Sequence, residues 1–218
     1  EREAVLESLV RGIEANGWRV TAGDVGFSYL VRALIGADRH ETLFRMVTQD
    51  SGPGYVWQLR QGATTLTEAW DAGSHSSHNH CMLGHVEGWF YRGLGGIRTE
   101  DPGFRRFTLR PAMPGNVERV TVRYRSVRGE IVSAWKREGG QVTWMIQVPP
   151  NTEATVFVPA RSVEAVWESG QRLSEAAGIS DIGCEDPSCS VSFRVQSGVY
   201  MLSWAEVSGP DAPSSGTR

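Results

Sequence analysis

The chain changes near Ile97 from a helical to a strand-like pattern of apolar residues. Before this point, apolar residues recur every three or four positions, which is typical of one face of an amphipathic helix. The first helix carries this pattern at Leu6, Leu9, Val10 and Ile13. Asn16-Gly17 then supplies a helix stop, and Asp24 is a candidate N-cap for the next helix. Further helices are predicted at 25–35, after Asp38, at 55–61 and at 79–94.

Beyond Ile97, polar and apolar residues alternate with a period of two, which predicts half-buried β-strands. The alternating segments are 107–109, 120–124, 131–135, 142–146, 156–158, 163–167, 191–195 and 199–204. Seven or eight short strands separated by Gly- and Pro-rich turns predict an antiparallel β-sandwich. We therefore expect an α domain at 1–98, a β domain at 99–206, and a disordered tail at 207–218, where few apolar residues offset the entropy of ordering.

The charge and hydropathy of the chain limit the kinds of partner that it is expected to bind. The 218 residues carry a net charge of −3, which gives no basic face for phosphates, so we expect no nucleic-acid partner. No run approaches the roughly 18 apolar residues of a membrane span, so we expect no membrane partner. The chain does not begin with methionine, and we expect it to be a piece of a longer protein whose location stays open.

Three cysteines leave at least one thiol unpaired. Cys184 and Cys189 flank a short loop and are candidates for a disulfide in an oxidising compartment. Cys81 lies in an apolar helical run, which favours a buried free thiol. The redox compartment is left open by these spacings.

The candidate chemistry lies between Gln61 and Ile97, where one carboxylate, a cluster of histidines and several aromatic residues occur together. A glutamate beside imidazole and aromatic groups is typical of sites that cleave sugars. The segment also carries a longer motif. Its residues are Gly62-Ala63-Thr64-Thr65-Leu66, Glu68, Trp70, Asn79-His80, Gly84, Trp89, Tyr91 and Gly96-Ile97.

This motif resembles the C-terminal portion of bacterial α-L-rhamnosidases of glycoside hydrolase family 78. The resemblance extends over roughly residues 1 to 205, with further matching segments at 21–26, 52–55, 102–104, 110–111 and 128–129. It implies the C-terminal hairpins of an (α/α)6 catalytic barrel followed by a β-sandwich. The N-terminal remainder of the parent chain would complete the barrel.

The activity that the resemblance implies is the inverting hydrolysis of terminal α-L-rhamnosyl residues, without a cofactor. The substrate would be a rhamnose-containing oligosaccharide, polysaccharide or glycoside. Inversion needs an acid and a base about 6.5–9.5 Å apart. Glu68 matches the family's general base, whereas its general acid lies upstream, so the isolated chain is expected to be inactive.

The other candidate site residues have competing interpretations. His80, after Asn79, is expected to bind sugar hydroxyls or to orient the catalytic groups, or else to be a core histidine. Trp70 is a candidate for stacking on a sugar ring, or for packing. Asp71 either holds a hydroxyl or caps the following loop. The alternative for Glu68 itself is a solvated helix carboxylate or a capping partner.

The chain also departs from the usual family pattern, because Thr67 stands where many members carry Trp and the loop before Asn79 is short.

Two other functions compete with glycoside hydrolysis by this family. A metal centre is one, but the cluster His75, His78, His80, Cys81 and His85 has no recognised ligand spacing, so we expect no metal.

The second alternative is a non-catalytic carbohydrate-binding or structural β-sandwich, or a hydrolase of another α-glycoside. Four tryptophans are candidates for a sugar-binding platform on the β half: Trp135, Trp144, Trp167 and Trp204. Because Trp135 and Trp144 stand with apolar neighbours in the alternating strand pattern, we expect both to face the core of the sandwich.

Overall fold

A computed structural model of the chain describes residues 1–73, 75–185 and 190–206. These residues form two compact units. The helical unit contains Glu1–Leu94 and Ala112–Val117, and the β unit contains Gly95–Pro111 and the described residues from Glu118 onward. The predicted disordered tail at 207–218 lies outside the described residues.

The helical unit follows the predicted helices closely. Four α-helices are present: α1 (Arg2–Ala15), α2 (Asp24–Gly36), α3 (His40–Thr48) and α4 (Tyr55–Arg60). A fifth helical run passes from 3-10 (Cys81–Val86) through α (Glu87–Trp89) to π geometry (Phe90–Leu94). Two boundaries differ from prediction. Asp24 is the first residue of α2, with Gly23 as its N-cap, and the helix predicted at 79–94 begins only at Cys81.

The core of this unit is formed by apolar residues that recur at helical spacing. Helix α2 buries Phe27, Val31, Leu34 and Ile35, which lie on one face at helical spacing. Trp89 is buried, and its indole Nε1 donates a hydrogen bond to His40 Nδ1 at 3.1 Å. Phe90, by contrast, is 39% exposed. It follows Trp89 directly and therefore points away from the buried face.

The β unit has eleven strands among the described residues. They are β1 (Ile97–Thr99), β2 (Arg106–Leu109), β3 (Arg119–Ser126), β4 (Gly129–Glu138), β5 (Gln141–Val148), β6 (Glu153–Val158), β7 (Trp167–Glu168), β8 (Gln171–Arg172), β9 (Ile179–Glu185), β10 (Ser190–Val195) and β11 (Gly198–Ala205). A five-stranded sheet has the order β1-β2-β6-β10-β9, and a six-stranded sheet the order β3-β4-β5-β11-β7-β8. All pairs are antiparallel except β2 with β6, which is parallel, so the predicted antiparallel character of the β domain is confirmed, with one parallel pair.

The prediction of a strand at 163–167 is largely wrong. Val163–Ala165 is a short 3-10 turn, and only Trp167–Glu168 pairs as strand β7. Trp135 and Trp144 are buried in the core as expected. Trp204 is buried with them, so the four tryptophans do not form a common exposed platform, and only Trp167 of the four is exposed.

The cysteines differ in part from their predicted states. Cys81 is an exposed free thiol and not the buried one predicted, because it opens the 3-10 turn at the surface. Cys184 is exposed, but its proposed partner Cys189 lies outside the described residues. None of the helices in the described part of the chain combines the length and apolar character needed to cross a bilayer.

Candidate active site

Three of the candidate site residues, Glu68, Asn79 and His80, lie on two paired segments, 65–68 and 77–80, that are joined by hydrogen bonds. The backbone N–H of Glu68 donates to the Ser77 carbonyl at 2.8 Å, and that of His80 donates to the Leu66 carbonyl at 2.9 Å. The Thr65 hydroxyl donates to the carbonyl of His78. These bonds hold Glu68 and His80 at opposite ends of one short ladder.

The pairing explains why the last helix starts later than the sequence predicts. His80 has extended backbone angles, with φ at −128° and ψ at 103°. Its N–H donates to the carbonyl of Leu66, a residue distant in sequence, so His80 is held in the extended conformation of the ladder, which is incompatible with a helix. Asn79 and His80 therefore lie on the paired segment and not on the helix.

The carboxylate of Glu68 is exposed and held on one side. The backbone N–H of Ser77 donates to Glu68 Oε2 at 3.0 Å, which fixes the orientation of the carboxylate. Within residues 1–73, 75–185 and 190–206, the other oxygen, Oε1, has no hydrogen-bond partner. This arrangement leaves one oxygen free to accept a proton from a water molecule or a substrate.

His80 is partly buried, with 25% of its side chain exposed. Its Nε2 atom is shielded from solvent and forms no hydrogen bond to any described residue. The nearest carboxylate oxygen is Oδ2 of Asp24, at 3.7 Å. The exposed part of the imidazole therefore does not include Nε2.

Trp70 is a packing residue in this structure. Only 8% of it is exposed, and its indole Nε1 donates to the Ala22 carbonyl at 2.7 Å. Its ring makes edge-on contacts with Phe27 at 4.9 Å and Tyr55 at 5.1 Å between ring centroids. This burial favours the packing interpretation of Trp70 over stacking on a sugar.

Tyr55 anchors the same cluster from helix α4. Its hydroxyl donates to the carbonyl of Leu83, in the last helical run. Burial raises the pKa of the Tyr55 phenol well above its usual range, and a hydrogen bond with the backbone of Val86 opposes the shift only in part. Tyr55 is therefore neutral over the ordinary pH range, and it connects α4 to the start of the last helical run.

The two remaining candidates lie at the surface. Asp71 accepts the Gly73 N–H through Oδ1 at 3.1 Å, which is the loop-capping role that was one of its two interpretations. Asn79 is exposed, and its backbone N–H donates to Ser77 Oγ at 3.3 Å. The Asn79 side chain has no partner in the part of the chain that the structure describes, so its amide is free to meet a ligand.

Two supporting residues were not predicted from the sequence. Thr67 is fully buried, and its hydroxyl donates to the Ala69 carbonyl at 2.7 Å. Gln58 is buried too, and its Nε2 donates to the same carbonyl at 3.4 Å. Together they fix the turn that comes after Glu68. The only signal for Thr67 was that it replaces the family's usual Trp, and Gln58 gave none.

The histidine cluster does not converge on a point. No three His, Cys, Asp or Glu residues among those described lie in a position to hold a metal ion. His78 Nε2 lies 3.3 Å from the Gly73 carbonyl, within the loop.

Family models match both units of the chain. Residues 1–94 match the bacterial alpha-L-rhamnosidase 6 hairpin glycosidase domain, and residues 96–172 match the bacterial alpha-L-rhamnosidase C-terminal domain. The helical unit is thus part of a six-hairpin glycosidase domain. With both models matched in order, the chain belongs to the bacterial α-L-rhamnosidase family.

Curated relatives agree with this assignment. An α-L-rhamnosidase of Streptomyces avermitilis is 29% identical over 168 residues, which are 73% of this chain and 16% of the relative. One from Formosa agariphila is 25% identical over 181 residues, or 78% of this chain and 19% of the relative. The chain thus spans less than a fifth of the length of these relatives.

Solved structures show the same fold. The crystal structure of the Streptomyces avermitilis α-L-rhamnosidase complexed with L-rhamnose has a TM-score of 0.80 and 26% identity. That match covers 90% of this chain and 19% of the other. The α-L-rhamnosidase from Dictyoglumus thermophilum also has a TM-score of 0.80, with 28% identity, covering 92% of this chain and 23% of the other.

Proposed function

We propose that this chain forms the C-terminal part of an inverting α-L-rhamnosidase in which Glu68 is the general base. The observation that carries the proposal is the Glu68 carboxylate, held through Oε2 by the Ser77 amide and open at Oε1. A general base needs this combination of fixed orientation and a free oxygen within reach of water. The family assignment supports the reaction, and the relatives named above support the substrate class.

In the proposed reaction, Glu68 Oε1 accepts a proton from a water molecule as that water attacks the anomeric carbon of a terminal α-L-rhamnosyl residue. A carboxylic acid on the opposite side of the sugar gives its proton to the leaving oxygen. The two carboxyl groups of inverting enzymes lie about 6.5–9.5 Å apart, which leaves room for the water. We assign the acid to the N-terminal remainder of the parent chain, as the family resemblance implies.

Substrate hydroxyls would meet Asn79 and His80. Both residues lie on the same segment, and the Ser77 amide that orients Glu68 begins it. The exposed Asn79 amide offers both a donor and an acceptor. Trp70 and Asp71 would act indirectly, since Trp70 is packed and Asp71 caps the loop.

The domain division at about residue 98 is part of the same proposal. Residues 1–98 would contain the closing hairpins of the catalytic barrel and the start of strand β1, and 99–206 would be a β-sandwich with a structural role. A sugar-binding role for the sandwich has little support, because Trp135, Trp144 and Trp204 are buried.

The test is the hydrolysis of an aryl α-L-rhamnoside by the parent protein and by the 218-residue chain, both checked for folding. We expect turnover by the parent alone, with release of the inverted sugar by NMR. In the parent, Glu68→Gln keeps the shape of the side chain and removes its basicity, and should lower kcat by at least about 100-fold.

Glu14→Gln is the matched control, because Glu14 is an exposed glutamate of α1 in the same unit. Its kcat should equal that of the native parent. Near-native turnover by the folded Glu68→Gln variant would remove Glu68 from the mechanism, and turnover by the 218-residue chain would show that a second catalytic carboxylate lies within it.

A further inference from the structure

His80 has a polar atom that the rest of the described structure leaves without a hydrogen bond. Its Nε2 is shielded from solvent, yet a quarter of its side chain is exposed. A buried ring nitrogen without a partner is unfavourable, so the position of Nε2 calls for a neighbour that can accept or donate. The one carboxylate facing it among the described residues belongs to Asp24, whose Oδ2 lies 3.7 Å away.

The Asp24 side chain is held in place by the backbone of the next residue. It is the first residue of α2, and its Oδ1 accepts the N–H of Val25 at 2.7 Å. With one oxygen fixed in this way, the other is turned towards His80. A shift of about 1 Å in either side chain would bring Nε2 and Oδ2 to the usual N–H···O distance of about 2.9 Å.

The loop that leads into α2 contacts the site through a second residue. The Ala22 carbonyl accepts the indole N–H of Trp70 at 2.7 Å, two residues beyond Glu68 in the chain. Residues 22–24 therefore bond to Trp70 through Ala22 and approach His80 through Asp24.

We propose that Asp24 is a positioning residue, which holds the His80 imidazole with Nε2–H directed at its carboxylate and Nδ1 directed at the sugar. A neutral imidazole has one donor and one acceptor. When Nε2 carries the proton towards Asp24, Nδ1 is an acceptor for a substrate hydroxyl. The inference rests on the proposed function, because it specifies how His80 takes part in binding the rhamnosyl group.

The competing interpretation is that Asp24 only stabilises α2, since a carboxylate in the first turn favours the positive end of the helix dipole. That role does not involve His80. The two interpretations therefore differ in whether the effect of changing Asp24 depends on the imidazole, which a double-mutant cycle measures.

The experiment uses the parent protein with Asp24→Asn, His80→Ala and the double variant. Asparagine keeps the size of the side chain and an acceptor for the Val25 amide but loses the charge. We expect Asp24→Asn to lower kcat/KM by about tenfold to 100-fold, which is the range found when the partners that orient metal-bound histidines are removed. In the His80→Ala background the same change should cost less than about twofold.

Asp50→Asn is the control, because Asp50 is an aspartate of the same unit whose ion pair with Arg60 is exposed at the surface. It should leave kcat and KM unchanged. Equal losses from Asp24→Asn with and without His80, or no loss in either background, would overturn the inference. If Asp24→Asn does not fold, Asp24→Ser retains an acceptor for the Val25 amide and gives the same cycle.

Calorimetric binding of L-rhamnose separates this inference from the proposed function. If the double-mutant cycle shows coupling between Asp24 and His80 in rhamnose affinity, the positioning role of Asp24 is supported. This holds even if the Glu68→Gln variant retains activity and Glu68 is therefore not the general base. If the parent is active but its rhamnose affinity and turnover show no coupling, the inference alone falls. A folded parent that neither binds rhamnose nor hydrolyses the rhamnoside rejects both.

Discussion

Replacing Gly93 with alanine should destabilise the helical unit, because there is no room for a methyl group at this position. A Cβ on Gly93 would lie 2.3 Å from Trp89 Cδ1 and 2.6 Å from its Nε1. Real Cβ atoms do not approach other atoms so closely, so the indole must move. Trp89 is only 1% exposed, and its Nε1 is bonded to His40 at 3.1 Å, so the movement also breaks a buried hydrogen bond.

The expected cost combines these two effects. Overpacking of a core costs about 1–3 kcal/mol. A buried donor left without its acceptor costs a further ~1–3 kcal/mol. Since partial relaxation will relieve some of each, we expect Gly93→Ala to destabilise the helical unit by about 2–4 kcal/mol, which is a large fraction of the stability of a typical domain.

The assay is urea unfolding of the parent protein, monitored by tryptophan fluorescence, with Gly88→Ala as the matched control. Gly88 lies in the same helical run and has open space where its Cβ would be. Alanine there should be neutral or stabilising by up to about 1 kcal/mol. Midpoints are compared rather than free energies, because a multidomain protein does not unfold in two states. Equal midpoints for the Gly93→Ala and Gly88→Ala variants would refute the reasoning.

Two further predictions concern the aromatic cluster. Trp70→Phe keeps an aromatic ring in the core but leaves the Ala22 carbonyl without its donor. The unfolding midpoint should therefore fall by an amount equivalent to about 1–3 kcal/mol. A midpoint equal to that of the native protein would contradict the packing role. Burial raises the pKa of Tyr55 in the folded state above its value near 10 in the unfolded state. The folded state therefore binds the phenol proton more tightly, and the free energy of unfolding falls as the pH rises above about 10. The difference between the native midpoint and that of Tyr55→Phe, which lacks the bond to Leu83, should therefore shrink from pH 8 to pH 11, and a constant difference would contradict the burial argument.

Helices and strands could be predicted wherever buried residues recur at a regular spacing along the chain. Helix α2 buries one face with helical spacing, and β5 alternates buried and exposed residues. Strand β9 was missed because Ile179–Glu185 has no such alternation, and it includes Asp181 with a positive φ of 51°. The parallel pairing of β2 with β6 joins segments far apart in sequence, and no local pattern carries that information.

The site shows the same distinction between local and distant contacts. Motif resemblance singled out Glu68 and His80, but their relation depends on hydrogen bonds between segments that local periodicity does not reveal. The helix was predicted over 79–94 from an apolar stripe that begins at Met82, whereas His80 is extended and its amide is bonded to Leu66. The Trp70 indole was equally open to packing and to stacking on the sequence alone, and its bond to Ala22 distinguishes the two.

The ladder between 65–68 and 77–80 has a consequence for how this site can diversify. Its bonds close the loop near the loop's own base, so residues 71–76 can be lengthened, shortened or rewritten without moving the two ends. The positions of Glu68 and His80 are therefore set by the ladder, and not by the length or the sequence of the loop that the ladder closes.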